Sequence, residues 1–104
     1  MRDDLNPNQC AKYLKALADP ERLRIVQCLR AGPLPVSDIS EQLRSPMQNV
    51  SHHLKQLRIA GLVTSRRSGR QIIYALAPRF AGKATGTPLN VLEFGCCRVE
   101  LTRK

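Results

Sequence analysis

Residues 45–61 read SPMQNVSHHLKQLRIAG, and this stretch carries every signal of one amphipathic helix. Ser45 and Pro46 suit a helix start, because serine caps an orphan N–H and proline has no N–H to lose there. Gly61 suits the stop. The side chains at the spacing of a buried stripe are Val50, His53, Leu54 and Leu57. The pattern therefore predicts a helix from Pro46 to about Ala60 with one face in the core.

The other face of this helix is polar and carries no carboxylate. Its members are Gln48, Asn49, Ser51, His52, Lys55, Gln56 and Arg58. Glutamine and asparagine pair with adenine, and serine and histidine reach base edges, whereas Lys55, Arg58 and the helix start at Ser45 suit phosphate. An ordinary solvated face is the competing interpretation, but such faces usually mix both charges. We expect this face to contact nucleic acid.

Three further helices are predicted before this one. They cover residues 7–18, residues 20–31 and a shorter stretch after Ser37 that carries Ile39 and Leu43 on one face. The first two begin with the same pair of signals, Asn6 before Pro7 and Asp19 before Pro20. The capping residue expected for the third helix is Ser37.

Residues 62–67 and 70–76 are rich in β-forming side chains and flank Ser68 and Gly69, which predicts a hairpin with a tight turn. Three arginines surround this turn: Arg66, Arg67 and Arg70. A basic hairpin tip beside the polar helix would reach the DNA backbone or the minor groove.

The C-terminal segment, from residue 77 onward, has a less regular pattern than the helices and the hairpin before it. Residues 77–88 read as a loop, and apolar residues alternate with other types on both sides of Cys96 and Cys97, where the phase slips by one. Two strand halves joined at a bulge would absorb the extra residue. A helix is the rival interpretation of residues 90–101.

Helix, helix, short helix, helix and hairpin is the element order of a winged helix-turn-helix. We therefore predict a mainly α protein with a β-hairpin wing, in which residues 1–76 form the DNA-binding domain. Residues 77–104 would add a loop and a strand-like dimerisation segment to the same domain. A chain of 104 residues suits one hydrophobic core.

Charge and composition narrow the function. The formal net charge is +9, from 17 Lys and Arg against 8 Asp and Glu. Double-stranded DNA is the first candidate partner for this charge, and an acidic membrane surface is the second. The third interpretation is that the charge serves only solubility and has no such partner. The chain has no apolar run of about 18 residues and no signal-peptide pattern, so we expect a cytoplasmic protein that does not enter the membrane.

An enzyme is not expected, because the sequence has no phosphate-binding loop, no paired carboxylates and no nucleophile with a base at a recognisable spacing. We likewise expect no cofactor. Two alternatives to a specific regulator stay open: a non-specific architectural DNA binder, and a winged-helix module that binds another protein.

Four stretches of the chain resemble the ArsR family of winged-helix repressors. They are residues 17–25 (LADPERLRI), 50–57 (VSHHLKQL), 61–63 (GLV), and Gly69-Arg70 with Tyr74. The resemblance covers about residues 8–76. It implies a homodimer on a pseudo-palindromic operator, released by an effector, with residues 50–54 in the recognition helix and dimerisation through the first and the C-terminal helices.

Two metal sites of that family are missing from this sequence. Residues 34–38 read LPVSD where arsenic-sensing members carry Cys-Val-Cys, and no His or Asp follows Tyr74 where zinc-sensing members place their ligands. No metal site of either kind is therefore predicted. The residues expected to form the dimer surface are Cys10, Tyr13, Leu14, Leu92, Phe94, Val99 and Leu101.

The four cysteines, Cys10, Cys28, Cys96 and Cys97, are expected to be thiols, with Cys28 a small core residue. Cys96 and Cys97, with Cys10 nearby in a dimer, leave three interpretations open: apolar packing, a soft-metal site, or a response to oxidant. A metal needs three or four ligands, and neighbouring residues on a strand point to opposite faces, which favours packing.

Overall fold

The computed structural model describes residues 7–80, 91–94 and 97–101. The helices are α1 (Pro7–Leu17), α2 (Pro20–Leu29), α3 (Val36–Leu43) and α4 (Met47–Ala60). The strands are β1 (Leu34–Pro35), β2 (Val63–Ser68), β3 (Gln71–Leu76), β4 (Val91–Glu93) and β5 (Arg98–Glu100), and Pro78–Phe80 forms a 3-10 turn. The predicted order of four helices and a hairpin is confirmed, and with it the winged helix-turn-helix fold.

The predicted start of α2 is confirmed in detail. Oδ1 of Asp19 accepts hydrogen bonds from the backbone N–H of Glu21 at 2.9 Å and of Arg22 at 3.1 Å. Pro20 occupies the first turn, where its missing N–H costs nothing. The bond from Arg22 is the main reason that the pKa of the Asp19 carboxyl lies below its ordinary value. Asn6, expected to cap α1, lies outside the described residues.

Two other predicted caps are wrong. Helix α4 begins at Met47 after Pro46, with no side-chain cap, and α3 begins at Val36, one residue before Ser37. Ser45 belongs to the turn between the two helices instead: its N–H donates to the Ser40 carbonyl oxygen at 3.1 Å, and its own carbonyl oxygen accepts from the Ser40 hydroxyl. The turn uses the Ser45 backbone, which moves the helix start beyond it.

The core is built by all four helices. Its fully buried side chains include Ile25, Val26, Ile39, Val50, Leu54, Leu57, Leu62 and Val63. The predicted stripe of α4 is confirmed at Val50, Leu54 and Leu57, and burial of each such side chain stabilises the fold by about 1.5–3 kcal/mol. Gly61 ends α4 at φ +90°, where a side chain would strain the backbone.

The wing is the antiparallel pair β2–β3, in register from Val63↔Leu76 to Ser68↔Gln71. The turn residues are Gly69 and Arg70, one position later than expected, and Gly69 takes the positive φ of +64° that a tight turn needs. The short strand β1 adds a third member, which the sequence pattern did not indicate.

The C-terminal segment is a hairpin. β4 and β5 pair antiparallel with Leu92 opposite Val99, so the strand interpretation is confirmed over the helix. The predicted bulge is wrong, because the chain reverses between the two halves and the Phe94 N–H donates to the Cys97 carbonyl oxygen at 2.9 Å. Most of the loop predicted for residues 77–88 lies outside the described residues, because the structure does not describe residues 81–90.

An aromatic cluster fixes this hairpin to α1. The ring centroids of Tyr13 and Phe94 are 5.0 Å apart, and Phe80 packs edge-on against both.

In the part of the chain that the structure describes, no helix is long and apolar enough to cross a bilayer.

Candidate nucleic-acid interface

Helix α4 presents its polar face to solvent. Its buried stripe packs against α1, α2, α3 and β2, which fixes the outward direction of the remaining side chains. The residues predicted for this face are exposed except for Gln56, which is half-buried: Gln48, Asn49, Ser51, His52, Lys55 and Arg58. The structure therefore places almost the whole predicted set on one accessible surface.

The turn from α3 to α4 sets the angle at which α4 projects. Arg44 ends α3 in the left-handed region at φ 54°. Nη2 of Arg24 donates to the Leu43 carbonyl oxygen at 3.3 Å, which satisfies an orphan carbonyl at the end of α3. Ser45, predicted to hold phosphate, is half-buried in this turn.

His53 connects α4 to the corner between α1 and α2. Its Nδ1 lies 3.3 Å from Nη1 of Arg22, and Nε of the same arginine donates to the Ala16 carbonyl oxygen. Because a guanidinium only donates, this contact requires a lone pair on Nδ1 and places the proton of a neutral ring on Nε2. We expected His53 to bond a backbone carbonyl, so the observed partner is a correction.

Arg22 is the residue that sequence reasoning missed. Its partner His53 lies 31 positions along the chain, and no local pattern reports a contact of that range. Arg22 is half-buried, and it positions α4 through His53 but is not part of the exposed polar face of α4.

The wing places its arginines at the exposed tip. Arg66, Arg67 and Arg70 are all exposed, and Nη1 of Arg67 donates to the Gly69 carbonyl oxygen at 3.5 Å. The sequence has no Asp or Glu between Glu41 and Glu93. Both α4 and the wing fall within this span, so neither element carries a carboxylate, and their net positive charge suits a polyanion.

The predicted dimer surface is largely interior. Cys10, Tyr13, Leu92, Phe94 and Leu101 are each at most 8% exposed, because the C-terminal hairpin folds onto α1 of its own chain. Only Leu14, 43% exposed, and the half-buried Val99 keep surface for a second copy. Those five residues are therefore reassigned from the dimer surface to the core.

Among the residues that the structure describes, the cysteines do not form a metal site. Cys10 is disulfide-bonded rather than a thiol, and its sulfur lies 3.5 Å from the Phe94 carbonyl oxygen. Cys28 and Cys97 are half-buried and are not part of a disulfide, and burial raises the pKa of the Cys28 thiol. Cys96 lies outside the described residues, among which no group of three or more metal-ligating side chains occurs.

Four helices, an exposed polar face on α4 and a basic two-stranded wing define a protein of the winged helix-turn-helix class. A family model described as a helix-turn-helix domain matches residues 17–66. The regulator NmtR of Mycobacterium tuberculosis is 50% identical over 68 residues, which cover 65% of this chain and 57% of NmtR. The regulator CmtR of the same organism is 36% identical over 89 residues, which cover 86% of this chain and 75% of CmtR.

A solved structure of a winged helix-turn-helix domain is also similar to this chain. The winged helix-turn-helix domain of Mb0332 from Mycobacterium bovis, described as homodimeric, DNA-binding and possibly of the ArsR family, shares 34% identity and superposes with a TM-score of 0.65. The match covers 67% of this chain and 65% of that one. The chain belongs to the ArsR family of transcriptional regulators. It spans little more than half the length of NmtR.

Proposed function

We propose that this chain is a homodimeric, sequence-specific DNA-binding repressor that reads the major groove with α4. One observation carries the proposal: α4 is held by a fully buried stripe, while its exposed side is polar apart from Met47 and Ile59 and carries no carboxylate. A major groove of B-DNA is about 12 Å wide and admits such a helix. The basic wing beside it supplies contacts to the flanking backbone or minor groove.

The proposed contact residues of the turn, α4 and the wing divide into two roles. Base edges are read by Gln48, Asn49, Ser51, His52 and Gln56. Phosphate and groove contacts come from Ser45, Lys55, Arg58, Arg66, Arg67 and Arg70. The span from Gln48 to Gln56 rises about 12 Å along the helix, which is close to the length of three or four base pairs.

Two copies would bind two half-sites related by a two-fold axis. Pro7, Ala11 and Leu14 are exposed on one stripe of α1 and supply apolar surface for a second copy. A dimer of this kind needs half-site centres about 34–36 Å apart, or one turn of B-DNA. The role requires no catalytic group or cofactor, and a cytoplasmic location fits it.

A thiol-responsive repressor is the second candidate, and the disulfide at Cys10 favours it. The bonded sulfur lies at the junction of α1 with the C-terminal hairpin, next to the Phe94 carbonyl. A change in its oxidation state would act on the aromatic cluster there. Duplex binding measured with and without dithiothreitol tests this: equal affinities exclude the response.

The proposed function is tested by selection from a library of random duplexes, followed by sequencing of the bound fraction. A homodimeric repressor enriches a pseudo-palindromic motif with half-sites one turn apart. An architectural binder retains DNA without enriching any motif. A winged-helix module for protein partners retains none at low salt.

A further inference from the structure

Met47, the first residue of α4, is exposed at a position where the helical pattern predicts burial. It precedes Val50 and Leu54 by three and seven residues, which is the spacing of the buried stripe. Val50 and Leu54 are fully buried, whereas Met47 is 51% exposed. The stripe therefore leaves the core at the start of α4, and its first member is presented to solvent.

The first turn of α4 holds the backbone of Met47 in place. The N–H groups of Asn49 and Val50 donate to the Pro46 carbonyl oxygen at 3.0 Å and 3.1 Å. The ring of Pro46 fixes its own φ, and the burial of Val50 fixes the other side of the turn. The exposed side chain of Met47 consequently projects from a rigid helix end.

The exposed neighbours of Met47 on α4 are side chains that we propose to read bases. Gln48 follows it directly, and Ser51 lies one turn further on, at the spacing that brings two Cβ atoms within about 5–6 Å. Both are exposed. In a helix-turn-helix the N-terminal residues of the second helix contact base edges. A major groove that receives Gln48 and Ser51 therefore also covers Met47.

The chemistry of the Met47 side chain selects one kind of base edge. A thioether has no hydrogen-bond donor and is only a weak acceptor, so it does not pair with the polar groups of a base. The apolar group that the major groove presents is the C5-methyl group of thymine. The unbranched side chain and polarizable sulfur of methionine adapt well to such a surface.

We propose that Met47 reads one thymine in each half-site by packing its side chain against the C5-methyl group of that base. The inference rests on the proposed function and adds an apolar specificity residue to the polar set. Burial of one methyl group favours thymine by about four-fold. A two-fold symmetric dimer makes the contact twice, so the preference over the whole operator is about fifteen-fold.

The test compares thymine with deoxyuridine, which lacks only the C5-methyl group and keeps every hydrogen-bonding group. The probe is the duplex obtained from the library selection, with one symmetry-related pair of thymines replaced at a time. Fluorescence anisotropy at one salt concentration gives each dissociation constant. The wild type should lose about fifteen-fold in affinity at one pair.

Met47→Ala should bind the thymine and deoxyuridine duplexes of that pair with equal affinity. At every other pair, its loss should equal that of the wild type. Because both proteins meet the same two duplexes, the comparison cancels any effect of the missing methyl group on the DNA itself.

Ile59→Ala is the matched control, because Ile59 is an exposed apolar residue of the last turn of α4, at 61%, and lies about 18 Å further along the helix axis. It should keep the wild-type loss at that pair. Met47→Leu keeps an apolar side chain of similar size and should retain the preference for thymine. Circular dichroism should show that all three variants fold, since both positions are exposed.

Three results would overturn the role of Met47. The wild type shows no loss at any thymine pair, Met47→Ala retains the loss, or Ile59→Ala abolishes it as well. Each of these leaves the repressor with its polar base-reading residues. A selection that enriches no motif is a different result, because it contradicts sequence-specific recognition by α4 and this inference with it.

Discussion

Nη1 of Arg22 lies 3.3 Å from Nδ1 of His53, which joins the start of α2 directly to the helix that carries the polar face. The same arginine donates from Nε to the Ala16 carbonyl and from its backbone N–H to Asp19. One residue thus holds the end of α1, the first turn of α2 and the middle of α4. The orientation of His52, which follows from that of α4, depends on this three-way contact.

Replacement of Arg22 by lysine should destabilise the fold. An ammonium group keeps the charge but cannot donate in two directions at the spacing of a guanidinium fork. We expect Arg22→Lys to lower the free energy of unfolding by about 1–3 kcal/mol, because at least one partly buried acceptor loses its donor. Urea denaturation measures this. Arg66→Lys on the exposed wing is the control and should leave the value unchanged, and equal stability of both variants would exclude the role given to Arg22.

Asp19 should make stability depend on pH in the acid range. The pKa of the Asp19 carboxyl in the folded protein lies below its ordinary value of 3.8, so the contribution of Asp19 to stability is complete above that value and is lost as the pH falls through the folded pKa. The thermal midpoint of unfolding should therefore fall as the pH is lowered from about 5 to about 2. Asp19→Asn keeps a capping oxygen that does not titrate, and its midpoint should fall less steeply. Parallel curves for the two proteins would contradict this assignment.

His52→Ala should reduce specificity. If His52 pairs with a base, its removal costs about 1–3 kcal/mol on the selected duplex and almost nothing on a scrambled duplex. Fluorescence anisotropy on both duplexes at one salt concentration measures the difference. Lys55→Ala, which removes a phosphate contact, serves as the comparison and should weaken both complexes alike. An equal loss on both duplexes for His52→Ala would exclude base reading.

Arg67→Ala should weaken binding without changing specificity. Loss of one phosphate contact releases one counterion fewer, so the slope of log K against log salt should flatten by about 1 on either duplex. A titration series in potassium chloride gives this slope. Lys12→Ala removes an exposed charge on α1, outside both α4 and the wing, and should leave the slope as it is. A wild-type slope in Arg67→Ala would remove the wing from the interface.

Local signals were sufficient for most of the fold. The Asp19 cap, the period of α4 and the turn at Gly69 each depend on residues within a few positions, so the sequence alone indicates them. Ser45 misled the prediction, because its backbone is used by Ser40 in a turn that only the packing of α3 against α4 defines. The polar face of α4 was predictable for the same reason as its buried stripe.

The C-terminal segment shows where the pattern stops being informative. A bulge and a chain reversal both shift the phase of an alternating strand, so the slip at Cys96 and Cys97 fits either. A residue buried in the core and a residue buried at a dimer surface give the same apolar pattern in the sequence. For this reason Tyr13 and Phe94 were predicted at the dimer surface, whereas the structure buries them in the core. The contact of Arg22 with His53 joins residues too far apart for any local signal.

The most direct measurement is fluorescence anisotropy with the selected duplex and a scrambled duplex of the same length, at one salt concentration near the physiological value. A sequence-specific regulator should bind the selected duplex about 10³-fold or more tightly. Equal affinities that weaken with salt at the same slope would contradict base reading by α4 and leave an architectural DNA binder.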